Sequence, residues 1–261
     1  MEISLKGRRA LVGGASRGLG RAIALQLAAS GAQVTLLARN EQRLKEVLAQ
    51  LSTVAGQTHN YLVVDFADFP TFSEVMKRYF EQHEIDILVN NTNGPSAGTV
   101  LEKGIDDYQQ AFDLLFKTVS FTTMQALTGM RSRNFGRIIN LSSVSIREPL
   151  QNLVLSNSIR SAVISWAKTL ARDVAPDGIT VNNILTGYFD TERLNEIHGA
   201  QAQNKGISIE VHKQHMQAEI PAKRFGKAEE FAYLVAFLAS NQAAYITGTS
   251  IPIDGGLLRG I

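Results

Sequence analysis

Two short stretches of this chain carry residues whose types and spacing could do chemistry. The first is "GGASRGLGRAIALQLAASG", in which Gly14, Gly18 and Gly20 form a G-x-x-x-G-x-G pattern at the opening of a helical run. Glycines there allow a tight turn and close backbone approach, and the free N–H groups of a helix start attract a pyrophosphate. A plain turn with a helix cap would use the same residues, so the pattern gains meaning from its context. Two cations accompany it. Arg17 lies inside the loop, and Arg39 follows Ala38 in "TLLARNEQRL". An acid at that second place would bind a ribose 2′-hydroxyl, whereas arginines can pair with a 2′-phosphate; solvated surface charge is the alternative for both. The second stretch, "LSNSIRSAVISWAKTLA", reads as one amphipathic helix entered through a polar turn. Its Ser156 and Arg160, four residues apart, share a helix face.

Short β-branched or aliphatic runs alternate with longer helical patterns along the whole chain, the signature of a parallel sheet with helices on both faces. Strands are predicted at 9–13, 33–38, 58–64, 85–89, 136–141, 179–184 and 250–253. Helices are predicted at 20–30, 41–53, 71–83, 106–133, 156–174 and 228–239. No linker, low-complexity segment or repeat divides the 261 residues, so the expectation is a single α/β domain of three layers, doubly wound and Rossmann-type. The glycine loop then falls between the first strand and the first helix, where a nucleotide phosphate is bound in such folds. Residues 191–222 break the alternation as a polar, weakly helical insertion, expected to be a substrate lid or a local helical cap.

Composition removes several classes of function. With 26 basic against 24 acidic residues and no basic stripe interleaved with aromatics, nothing points to nucleic acid. The absence of cysteine excludes disulfides, thiolate metal sites and cysteine nucleophiles. No run approaches the ~20 apolar residues of a membrane span, so a cytoplasmic protein is expected. His198, His212 and His215 lack a carboxylate partner at ligand spacing and are read as polar positions of the lid, with no metal site.

Taken in order, these motifs resemble the short-chain dehydrogenase/reductase family, most closely its 3-oxoacyl-(acyl carrier protein) reductase type. Beyond the glycine loop, "LVVDFAD" is similar to the family's third-strand segment and "DILVNNTNG" to its Asn-Asn-Ala-Gly signature, from which Thr92 and Asn93 depart. "GRIINLSSVS", "ITVNNILTGYFDT" with Thr186 in place of the usual proline, and "YITGTSIPIDGG" resemble the later strands. The resemblance implies a cofactor held by Gly14, Ser16, Arg17, Gly18, Leu19, Gly20 and Arg39, with Asp65, Phe66 and Asn90 on the adenosine side. Gly187, Thr191 and Arg160 would serve the nicotinamide side. NADP(H) is expected in preference to NAD(H). It also implies a homodimer or homotetramer, in which Ala162, Val163, Trp166, Ala167 and Leu170 would face a symmetry mate; core packing alone would use the same face.

In that family a serine orients the substrate, a tyrosine moves the proton, and a lysine four residues later tunes the tyrosine and binds ribose. The resemblance places the first at Ser143 and the other two at Ser156 and Arg160; the assisting asparagine falls on Leu115 or, shifted by one, Phe116. A serine hydroxyl is a far poorer proton donor or acceptor than a phenol of pKa ~10, and arginine cannot relay a proton. Three outcomes stand open. A reductase or dehydrogenase of a small-molecule carbonyl or alcohol could recruit another acid, such as Tyr188 or a water. A cofactor-binding protein could act with little turnover, as a sensor or partner subunit. Other chemistry, such as elimination or isomerisation, could use Ser143, Ser156 and Arg160 as anion and oxyanion binders. The oxidoreductase is the reading adopted.

Overall fold

The computed structural model describes residues 3–260. Seven strands, β1 (Arg9–Gly13), β2 (Gln33–Ala38), β3 (Asn60–Val63), β4 (Ile87–Asn90), β5 (Gly136–Ser143), β6 (Ile179–Thr186) and β7 (Ser250–Ile253), form one sheet. They lie in the order β3-β2-β1-β4-β5-β6-β7, and every pair is parallel. Nine α-helices among the described residues connect them: α1 (Gly18–Ala29), α2 (Glu41–Leu48), α3 (Phe69–Gln82), α4 (Ile105–Phe112), α5 (Thr118–Ser132), α6 (Val154–Val174), α7 (Glu192–Lys205), α8 (Ile209–Glu219) and α9 (Ala228–Ala239).

Alternate residues of each strand point to opposite faces, so the continuous apolar runs supply two cores at once. Ala10, Val12, Val34, Leu36, Ile87 and Val89 pack against α1, α2 and α9. Leu11, Leu37, Leu88, Ile138 and Val181 meet α3, α5 and α6 on the other face. This three-layer arrangement is the expected Rossmann-type fold. Strand order reverses between β1 and β4, and a crevice opens there beyond the carboxyl ends of the strands, where ligands bind in open α/β sheets.

Three local features differ from the sequence expectation. The long helix at 106–133 is broken: Asp113–Lys117 winds as a π-helical turn between α4 and α5, and the Thr118 hydroxyl donates to the Leu114 carbonyl at 2.5 Å. One extra residue per turn leaves the apolar spacing on either side intact, so periodicity alone passes over it. α6 starts at Val154, and the polar stretch ahead of its apolar face is therefore helix and not an entering turn. The segment at 191–222 is no weak helix but two capped ones. Thr191 Oγ1 accepts from Leu194 N at 3.3 Å, Ser208 Oγ accepts from Val211 N at 3.2 Å, and Gly206 closes α7 at a φ of +64°.

Candidate active site

β1 runs directly into the glycine loop. Gly14 and Gly18 hold φ values of +58° and +54°, in the left-handed region that glycine enters freely. A Cβ on Gly14 would come within 2.6 Å of Asn91 Nδ2, and one on Gly20 would collide with the Gly14 carbonyl. Asn91 locks the loop from the β4 side by donating to the Gly13 carbonyl at 3.1 Å. Arg17 occupies the cap position of α1 without a side-chain bond to its first turn, so the helix start is left uncapped for an anion. Gly14, Arg17, Gly18, Leu19 and Gly20 line a cleft of about 530 Å³ together with Arg39, Asp65 and Thr191. These residues fit a dinucleotide: a cradle that side chains would fill, uncapped amides and cations at one end.

Arg17 and its neighbour Arg43 are engaged by α7. Arg17 meets Glu196 at 2.6 Å and Glu192 at 3.5 Å, and Arg43 meets Glu192 at 3.0 Å. The hydrogen bond to Glu196 raises the Arg17 pKa further above its ordinary value, with Glu192 adding to it. Arg39 lies 3.8 Å from Asp65, both exposed. The first turns of α7 are thus fastened over the phosphate loop by ion pairs.

At the carboxyl end of β5, Arg160 reaches back from the second turn of α6. Its Nε donates to Ser156 Oγ at 3.2 Å and its Nη1 to the Leu141 carbonyl at 2.8 Å. Burial pulls the guanidinium down to about 10, so it stays protonated near neutrality, and no acid pairs with it among the described residues. Ser143 ends the same strand, and its Oγ accepts from Ser145 N at 3.1 Å. Ser156 and Arg160 are therefore together on α6, with Arg160 tied to the strand that ends in Ser143. Leu115 is buried, and Leu114 of the π turn faces the cleft instead. Tyr188 sits elsewhere. Its ring packs against Phe225 at 6.5 Å, and burial, aided by Glu219, pushes its phenol up. The cavity of about 150 Å³ that it lines is shared with Phe189, Arg224 and Asp254, and not with Ser143, Ser156 or Arg160.

Four expected cofactor residues take other places. Asn90 does not open its side chain to the cleft: it is buried and donates to Asn140 Oδ1 at 2.8 Å and Thr123 Oγ1 at 3.1 Å. Asn140 in turn donates to Asn183 at 2.9 Å, a polar ladder across paired positions of β4, β5 and β6. Phe66 is buried against Phe72, with ring centroids 5.4 Å apart. Ser16 is half-buried outside the cleft lining, and Gly187 packs its backbone against Asp254. Asn91, next to the residue chosen, is the one that sequence reasoning missed; the doubled asparagine in "NNTNG" was its signal. The histidines also require correction. His198 and His212 are not polar lid positions but each 1% exposed, with rings 5.1 Å apart and His198 stacked on Phe225 at 5.3 Å. Among the described residues no cluster of three or more metal-ligating side chains occurs.

Residues 14–258 match the family model described as enoyl-(acyl carrier protein) reductase. The NADPH-dependent reductase BacG of Bacillus subtilis is 32% identical over 258 residues, covering 97% of this chain and 99% of its own. The 3-oxoacyl-[acyl-carrier-protein] reductase FabG of Escherichia coli is 32% identical over 256 residues, covering 98% and 99%. Among solved structures, L-sorbose reductase from Gluconobacter frateurii, complexed with NADPH and L-sorbose, superposes with a TM-score of 0.93 at 31% identity over the full length of both chains. By the family match and by these relatives, the chain belongs to the short-chain dehydrogenase/reductase family.

Proposed function

We propose that this chain is an NADP(H)-dependent oxidoreductase acting on a small-molecule carbonyl or alcohol, with serine and arginine in place of the family's tyrosine and lysine. The observation that carries the reading is the glycine cradle at the uncapped start of α1, with Arg17 and Arg39 among the residues that line its cleft. Gly14, Gly18, Leu19 and Gly20 would hold the pyrophosphate, the arginines a 2′-phosphate, Asp65 the adenine side and Thr191 the nicotinamide side. Relatives named as NADPH-dependent, or solved with NADPH, support the choice of cofactor. Bound nicotinamide would supply the hydride for the carbonyl carbon.

What the chain itself contributes is charge stabilisation. Because Arg160 Nε donates to Ser156 Oγ, the serine keeps its own proton free to donate to a substrate oxygen. The adjacent guanidinium stabilises negative charge developing there, as an oxyanion site does. Ser143 would hold the same oxygen from β5, and the proton that completes the alcohol comes from water. Tyr188, turned toward Phe225, is given a role in seating the lid over residues 191–222. Association into a homodimer or homotetramer is part of the proposal. Val163, Ala167 and Leu170 are already buried within the chain, so partly exposed Trp166 and exposed Met124 would make the contact.

NADPH is expected to raise the melting temperature more than NADH; equal and negligible shifts with both would sink the cofactor reading. Turnover is tested by NADPH oxidation with β-keto thioesters, diketones, aldehydes and oxo acids, and activity lost in Ser156→Ala would support the serine's role. A second reading, cofactor binding with little turnover, is favoured by the fixed Ser156–Arg160 contact, which has no proton relay. It gains if the parent is inactive and Ser156→Tyr with Arg160→Lys creates activity.

A further inference from the structure

Arg160 enters the carboxyl end of the sheet with two acceptors, Ser156 Oγ and the Leu141 carbonyl. Its Nη2, and the second N–H of Nη1, have no acceptor among the described residues. No carboxylate neutralises it there either. Arg160 keeps partial exposure, so these open donors are not sealed in the core. A desolvated cation of this kind is costly until an anion completes it.

Several other arginines already have that completion. Arg9 and Arg133 share Asp86, Arg17 has Glu196, and Arg224 has Glu230 at 2.6 Å. Neutral hydroxyls, such as those of a ribose, would fill N–H groups of Arg160 but leave its charge unbalanced. What is missing is an anion, and the planar end of the fork formed by Nη1 and Nη2 suits a carboxylate.

Ser156 narrows the choice. Its oxygen accepts from Arg160 at 3.2 Å while its proton is free, so a carbonyl oxygen held by the serine lies beside any anion held by the guanidinium. We infer that Ser156 and Arg160 together select substrates with a carboxylate next to the reactive carbonyl, the 2-oxo acid class. A thioester offers no anion at that place. This inference rests on the oxidoreductase reading above, and it makes Arg160 a specificity-determining residue.

The test uses the full chain and direct binding. Pyruvate and phenylpyruvate are compared with their methyl esters by calorimetry, with and without NADPH, in the parent, Arg160→Gln and Arg160→Lys. Each acid is expected to bind about ten-fold more tightly than its ester, the size of one charge-assisted hydrogen-bonded contact. That preference should fall below about two-fold in Arg160→Gln and be kept in part in Arg160→Lys, which retains charge without the fork. Equal binding of acid and ester, or a preference that survives in Arg160→Gln, overturns the inference. An acid preferred only when its carboxylate is one carbon further away, as in acetoacetate against its methyl ester, overturns the 2-oxo assignment. NADPH affinity is read in the same titrations. Its absence would sink the oxidoreductase reading alone, because the acid and ester are also compared without the cofactor.

Discussion

An arginine stands at each end of β5, and the two are completed in different ways. Arg137, at the amino end, is 2% exposed and donates to three carbonyls: Gly136 at 2.8 Å, Gly178 at 3.1 Å and Ser240 at 3.2 Å. Its guanidinium also lies over the Phe135 ring, 4.2 Å from the centroid. Arg160, at the carboxyl end, has two acceptors and an open fork. Burial draws both down to about 10, with Arg8 adding to the effect at Arg137. The neighbours repeat the contrast. At the amino end Asp86, buried before β4, takes bonds from the Arg9 amide at 2.9 Å, Arg9 Nε at 3.2 Å and Arg133 Nε at 3.1 Å. At the carboxyl end the charged side chains Arg17 and Arg39 meet only exposed acids. One end of the sheet uses its polar groups to tie strands and connections together; the other holds them available, as a crevice that binds ligands must.

The largest expected effect separates the two arginines by stability. Arg137→Met would strand buried carbonyls whose loss of partners costs about 1–3 kcal/mol each. A loss of at least about 3 kcal/mol is expected, a fall in melting temperature of roughly 6 °C or more. Arg160→Met removes an unbalanced cation and is expected to leave the melting temperature unchanged or slightly higher. The sign with pH agrees. Each arginine has a folded pKa below its unfolded value, so the penalty is fully present below about 10 and is relieved only as pH rises from there toward the ordinary arginine range. Equal falls in the two variants at neutral pH would break the comparison.

Legibility in the sequence does not divide by end: β3 and β4 begin two residues later than expected, at Asn60 and Ile87. Strand β1 with its Arg9, and β2, β7 and α9, have the bounds expected from apolar runs punctuated by turn residues. At the carboxyl end, β5 and β6 run on past their apolar stretches through Ser142–Ser143 and Leu185–Thr186, because they pair with each other there. Hydrophobic pattern cannot report a ladder continued by polar residues. β4 likewise runs one residue past the expected Val89, so Asn90 joins the ladder with Asn140 while Asn91, beyond the strand, donates to the Gly13 carbonyl. The glycine loop was readable because its requirement is local. The facing of His198 and His212 was not, since it depends on how α7 meets α8.

That histidine pair supplies the next contrast. Burial lowers the pKa of both rings; His212 and Lys213 add to the effect at His198 against Asp190, and Lys205 and His215 at His212 against Glu219. Both ring nitrogens of His198 lack a protein partner, while His212 Nε2 meets Gln201 Oε1 at 2.9 Å. A lowered folded pKa means that the unfolded segment binds protons first. The contribution of the neutral pair is therefore complete above about 6.5 and is lost as pH falls below that. Amide exchange in α7 and α8, corrected for its intrinsic rate, should accelerate several-fold between about pH 7.5 and about pH 5.5, with β4 and β5 unaffected. His198→Phe should abolish the acceleration. Uniform acceleration across the sheet would assign it to global destabilisation and remove the distinction between the α7–α8 segment and the sheet.

The smallest expected effect tests whether the carboxyl-end cations are held in reserve. Arg17 cannot give its guanidinium to a 2′-phosphate while keeping its 2.6 Å contact to Glu196. The exposed pair contributes no more than about 1 kcal/mol, so its competition with the cofactor is limited to a similar size. Glu196→Gln should therefore tighten NADPH by about two- to five-fold and leave NADH unchanged, with the difference shrinking as salt screens it. Equal tightening of both cofactors would place Arg17 on the pyrophosphate they share. No change in either would make the α7 glutamates a fastening for the lid alone, and Arg17 would then resemble the closed, structural arginines of the opposite end.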